Sequence, residues 1–158
     1  MEPPPASPEE LDALESLIDG WLTAGAAENP SIDAVERGPV GERRWYVRIH
    51  GEEKDVWTIW FVLGQRTLRF ETYLIPAPEE NHARFYEHLL RRNRALTGMA
   101  LAIGDEDAIF LAGSLAVRHV DDDALDRILG SMYAYVERLF RPALRIGFAT
   151  RMAVVPED

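Results

Sequence analysis

Arg91, Arg92, Asn93 and Arg94 place three guanidinium groups and one amide in four consecutive positions of a chain with 17 Lys+Arg against 27 Asp+Glu. The chemistry such a cluster offers is anion binding, because guanidinium forks pair bidentately with carboxylate and phosphate. The same residues also suit the last turn of a helix, where free carbonyls and the negative end of the dipole attract cations. Asn93 falls on roughly the same side as Phe85, Leu89 and Leu96, so its amide is expected to be partly buried and bonded to backbone.

Other reactive residue types do not assemble into a site. There are no cysteines, which removes disulfides, thiolate nucleophiles and thiolate metal ligands. Ser114 in "AGSLA" lacks the flanks of a nucleophile elbow. His82 and His88 are six positions apart and fall on different helix faces. Glu79 and His82 form a single E-x-x-H, where a di-iron bundle needs two and further carboxylates. The acidic runs at 105–107 and 121–123 lack the calcium-loop pattern and read as a turn and a helix N-terminus. No glycine-rich phosphate loop is present. The residues therefore point away from an enzyme and imply neither cofactor nor metal.

The second concentration of binding chemistry is aromatic. Trp57, Trp60 and Phe61 lie within "VWTIWFVL", which is apolar on both alternating faces. Core packing explains part of this, since Trp is usually largely buried. A surface for another polypeptide also concentrates Trp, Tyr and Arg. Charge favours a protein partner over nucleic acid. Residues 1–36 hold nine acidic and no basic residues, while the other 122 hold 18 acidic and 17 basic. A broad positive surface for phosphates is missing.

These residues must be positioned by a small set of elements. Residues 1–6 read as a disordered Pro-rich tail. Ser7, Pro8 and Glu10 then open a helix with a capping box, followed by Leu11, Leu14, Ile18, Trp21 and Leu22 at helical spacing. "IDAVERG" is a weak strand. "RRWYVRIHG" alternates, with Trp45, Val47 and Ile49 on one face. "VWTIWFVL" is a central strand expected to be covered on both sides. "TLRFETYLIP" places Leu68, Phe70 and Leu74 together. A second helix is expected from Pro78, with Glu79 and Glu80 in its first turn and Phe85 and Leu89 inward. The hairpin "MALAIG" and "AIFLAGSL" turns at 105–107. The last helix is capped by Asp121, carries a long apolar stripe from Leu125 to Phe140, and is expected to break or kink at Pro142. Short turns make the strands antiparallel. The fold class is α+β: an antiparallel sheet of five or six strands with three helices, ordered α-β-β-β-(β)-α-β-β-α. One domain spans 7–148, with a loose tail over 149–158.

"LLRRNRALTG", "MALAIGDEDAIFLAGSL", "VDDDALDRIL" and "YAYVERLF" together resemble the YbjN family of bacterial sensory transduction regulators. The resemblance runs over 45–148 and is strongest over 86–142. It is most similar to actinobacterial members, in keeping with an Arg-rich chain whose only lysine is Lys54. It implies a fold like type III secretion chaperones, which are small acidic dimers that bind extended client segments. It carries over no catalytic residue.

The expectation is a cytoplasmic, non-enzymatic protein-binding domain, chaperone-like or regulatory, that forms a homodimer and meets a client or regulatory protein through apolar sheet and helix surface. Neither nucleic acid nor membrane is an expected partner. The residues assigned to partner contact are Trp57, Trp60, Phe61, Arg91, Arg92 and Asn93. The alternative is a small-ligand or anion-sensing module at the Arg91–Arg94 corner.

Overall fold

The side-chain hydroxyl of Ser7 accepts from the Glu10 N–H at 3.1 Å, and the Glu10 carboxylate accepts from the Ser7 N–H at 3.2 Å. This capping box opens α1, Pro8–Glu28. The computed structural model describes residues 1–154. After α1 come β1 (Ile32–Arg37), β2 (Arg44–His50), β3 (Val56–Leu63), β4 (Thr67–Ile75), α2 (His82–Asn93), β5 (Ala100–Ile103), β6 (Ile109–Ala116), α3 (Asp122–Gly147) and the short α4 (Ala149–Val154). The strands form one antiparallel sheet in the order β1-β2-β3-β4-β6-β5. β3 therefore lies inside the sheet, as its composition implies.

Alternation decides what is buried. Trp45, Val47 and Ile49 of β2 stand opposite Phe61, Ile59 and Trp57 of β3. Phe61 continues the row to Phe70 of β4. These inward side chains share one core with Leu11, Ile18 and Leu22 of α1, Phe85 and Leu89 of α2, and Leu125, Met132, Val136 and Leu139 of α3. Phe70 stands opposite Gly113 of β6, where a Cβ would lie 2.7 Å from the Phe70 ring. Glycine is what lets that ring and the Gly98 carbonyl, which a Cβ would meet closer still, come so close to the strand.

The structure differs from the sequence reading in four places. The second helix begins at His82 rather than Pro78, behind Asn81 at φ 56°. The N–H groups of Glu79 and Glu80 are taken instead by the Gly147 carbonyl, at 2.9 and 3.1 Å. Pro142 does not end α3, which continues to Gly147. Packing outweighs the missing N–H there, because Ala143 is fully buried and Phe85 and Pro78 close on Gly147. Residues 149–154, expected to be loose, form α4, where Arg151 pairs with Glu79 and Thr150 with Glu80. At the other end, the segment expected to be a disordered tail lies along the β3–β4 turn: the Ala6 N–H donates to Gln65 O at 2.7 Å, and the Arg66 guanidinium reaches the Pro3 carbonyl. Residues 155–158 of the expected C-terminal tail lie outside the described residues.

Candidate protein-binding surfaces

All the helices lie on one side of the sheet or at its β5 edge, so the expected cover on both faces of β3 is provided on one face only. None of Tyr46, Trp60, Val62, Tyr73 and Phe110 packs against the core. The open face is an ordered grid. One row runs Arg44, Val62, Arg69, Ser114 across β2, β3, β4 and β6. The next runs Tyr46, Trp60, Glu71, Ala112, Ala100. A third sets Tyr73 beside Phe110 and Ala102. The Phe110 ring meets Tyr73 edge to face at 5.6 Å and Trp60 at 6.4 Å. Burial, and then the charge of Glu106, push the Tyr73 phenol above its usual range.

This grid separates the three aromatic residues assigned to partner contact. Trp57 and Phe61 point inward and are buried, Trp57 against Tyr133 and Phe61 against Trp21. They hold the core. Trp60 is half-buried and belongs to the open face. Alternation along β3 puts Val56, Trp60 and Val62 on one side, but Tyr46, Tyr73 and Phe110 were not picked out from sequence as their neighbours. Their outward parity on β2, β4 and β6 was the available signal.

The arginine corner also divides. Arg91 and Arg92 are exposed, and Arg91 pairs with Glu87 one helical turn back at 2.9 Å. Asn93 turns inward, and its amide exchanges two hydrogen bonds with the backbone of Leu101 in β5. Arg84 and Arg92 flank His88, whose imidazole is pushed down by burial first and then by the charges of Arg92 and Arg84. Beside this corner runs a hollow of ≈ 280 Å³ between α2 and β5, lined by Tyr86, Leu90, Ala102 and Ile103 among others. Leu90 and Ile103 are 70% and 57% exposed, large values for apolar side chains. Neither was singled out from sequence.

A polar clamp holds the β2–β3 turn. The Glu137 carboxylate of α3 accepts from the N–H groups of Glu52 and Glu53, at 2.8 and 2.6 Å. Lys54 Nζ donates to the carbonyls of Tyr73 and Leu74, at 2.6 and 2.9 Å, beneath the Tyr73 and Phe140 rings. Burial brings its pKa down to about 8. Among the described residues no three His, Asp or Glu side chains gather as metal ligands, and no helix is long and apolar enough to cross a membrane.

A twisted antiparallel sheet with helices on one side, preceded by a helix and closed by a long one, is the fold of the type III secretion chaperones. A chain from the Yersinia pestis chaperone SycH in complex with a stable fragment of YscM2 matches with a TM-score of 0.52 and 16% identity, over 80% of this chain and 98% of that one. A chain of the ExsC–ExsE complex matches with a TM-score of 0.54 and 11% identity, over 82% and 95%. The sequence itself is more specific: residues 17–145 match the YbjN model, "Putative bacterial sensory transduction regulator", and the chain belongs to the YbjN family. Uncharacterized proteins of Mycobacterium tuberculosis and Mycobacterium leprae are similar. The first is 35% identical over 65% of this chain, and the second 32% identical over 84%. The matched part spans 56% of the M. tuberculosis protein and 71% of the M. leprae protein.

Proposed function

We propose that this chain is a non-enzymatic protein-binding domain, chaperone-like or regulatory, that takes a partner polypeptide on the open face of its sheet. The observation that carries the reading is the patch of Tyr46, Trp60, Val62, Tyr73 and Phe110, which spans three rows of the open face outside the core. Contiguous, partly exposed apolar surface of this kind marks interaction sites, and Trp, Tyr and Arg dominate such contacts. The solved complexes of the same fold hold partner proteins, as their names state. The test is affinity capture from the native host with the wild-type chain and with Trp60→Asp, followed by mass spectrometry. A defined protein retained by the wild type and lost from the variant supports the reading. A small metabolite at full occupancy, with no protein, ends it.

Self-association is assigned to the α2–β5 hollow. Leu90 and Ile103 supply its apolar centre, Arg91 and Arg94 follow at the end of α2, and the acidic turn Asp105–Asp107 begins two residues after Ile103. One patch carrying both signs is self-complementary under a two-fold axis. Light scattering should give twice the chain mass, and Leu90→Glu with Ile103→Glu should give the monomer. A wild type that stays monomeric at high concentration removes the homodimer.

His88 of α2 has its Nε2 buried with no partner among the described residues, one helical turn from both Arg84 and Arg92, which favours a second reading, anion sensing at the Arg91–Arg94 corner. Under it, Arg91→Glu with Arg92→Glu abolishes binding of inorganic phosphate while the fold survives. Under the first reading no phosphate binding is seen in either protein.

A further inference from the structure

We infer that the open sheet face selects a polypeptide segment in which a carboxylate side chain sits beside large apolar ones, with Arg44 and Arg69 clamping the carboxylate above Val62. The inference rests on the open-face reading and names the partner's chemistry. Arg44 and Arg69 stand on either side of Val62 in one cross-strand row, two strand spacings or about 10 Å apart. Both line the same hollow of ≈ 450 Å³, together with Trp60, Val62, Glu71 and Ala112. A carboxylate centred over Val62 lies within reach of both guanidinium groups, and its neighbouring apolar side chain enters the hollow against Trp60 and Ala112.

The charge balance argues for this occupant. The chain as a whole is strongly acidic, with 27 Asp+Glu to 17 Lys+Arg. The central rows of the open face reverse that ratio: Arg44, Arg48 and Arg69 face outward against two acidic members, Glu71 and, opposite Tyr46 on the outer strand β1, Glu36. Arg44 pairs with Glu42 at 2.9 Å, while Arg48 and Arg69 make no ion pair among the described residues. An apolar floor between two guanidinium groups lowers the local dielectric, which strengthens a charge-assisted contact made there. Glu71 in the same hollow makes no ion pair among the described residues and disfavours a second carboxylate beside Trp60, so selectivity is for one acid next to apolar residues rather than for a polyacidic tract.

A random twelve-residue display library, selected on the wild-type chain and counter-screened on Trp60→Asp, tests this. The expected result is a set of peptides with one Asp or Glu flanked by large apolar residues. Their affinity should fall at least tenfold in Arg44→Glu with Arg69→Glu, and should weaken with added salt. If charge reversal disturbs folding by circular dichroism, Arg44→Ser with Arg69→Ser takes its place with the same expectation. Peptides that need Trp60 but carry no acid, or ignore both arginine variants, overturn the carboxylate clamp and leave the open-face reading standing. No peptide that depends on Trp60 overturns both.

Discussion

The Asn93 side chain pairs with Leu101 as a strand would: Oδ1 accepts from the Leu101 N–H at 2.7 Å, and Nδ2 donates to the Leu101 carbonyl at 3.2 Å. β5 is the last strand of the sheet, with β6 on its other side. The amide therefore satisfies an edge that would otherwise be open to another chain. Asn93→Leu fills similar volume but leaves two backbone groups unmatched, and it should cost about 2 kcal/mol by urea denaturation. Hydrogen exchange at the Leu101 amide should speed up more than at β6. Unchanged protection there would mean that the edge is held by something other than this amide.

Two buried tryptophans should respond unequally to the same substitution. The Trp45 indole donates to Asp19 Oδ1 at 2.7 Å, and Asp19 also pairs with Arg37. The Trp57 indole N–H is buried with no partner among the described residues. Trp45→Phe leaves a carboxylate short of a donor and should cost about 2 kcal/mol more than Trp57→Phe, which removes an unmatched donor along with some packing. Parallel thermal melts of the two variants measure it, and equal losses would show that ring volume alone sets the cost.

The contrast also shows what could be read from sequence. Alternation placed Trp45, Val47 and Ile49 on one face, and antiparallel pairing followed from short turns. The inward or outward sense of β3 did not, because "VWTIWFVL" is apolar on both sides, and period two cannot rank two apolar faces. Only the cross-strand partners settle it: Phe61 stands opposite Trp45, while Trp60 stands opposite Tyr46 and Glu71. The arginine corner was legible as a helix end, yet the start of α2 was not, since the N–H groups of Glu79 and Glu80 are claimed by Gly147, 67 residues away in the chain for Glu80. Contacts of that range, like Glu137 with the β2–β3 turn, leave no mark in local pattern.

Lys54 should give the chain a stability gain on the alkaline side of neutrality. Its ordinary pKa is 10.5 and burial lowers it to about 8 in the folded state. Between those values the unfolded chain holds a proton that the folded chain has released, so unfolding free energy rises with pH. The gain is complete above pH 10.5 and is lost as pH falls through 8. The neutral amine still has two hydrogens for the Tyr73 and Leu74 carbonyls. Wild-type stability minus that of Lys54→Met should therefore climb from pH 8 to 9.5, below the range where Tyr73 ionises. A flat difference over that interval would show an ammonium already well solvated.

The Glu137 clamp should matter as much to the β2–β3 turn as the turn's own residues do. Its carboxylate accepts from two successive N–H groups, and Arg141 on the next turn of α3 pairs with Glu53. Gly51 lies directly beneath it, and a Cβ there would meet the Glu137 carboxylate and come within 2.7 Å of the Lys54 carbonyl. The carboxylate can swing away but the backbone carbonyl cannot, so Gly51→Ala must displace the turn. Glu137→Ala frees both N–H groups to water and should cost about 1–3 kcal/mol, with Glu137→Gln intermediate because one acceptor oxygen remains. If the clamp is the shared cause, Gly51→Ala combined with Glu137→Ala should cost clearly less than the two losses added. Urea denaturation of the four proteins closes the cycle, and strict additivity would separate the glycine's role from the carboxylate's.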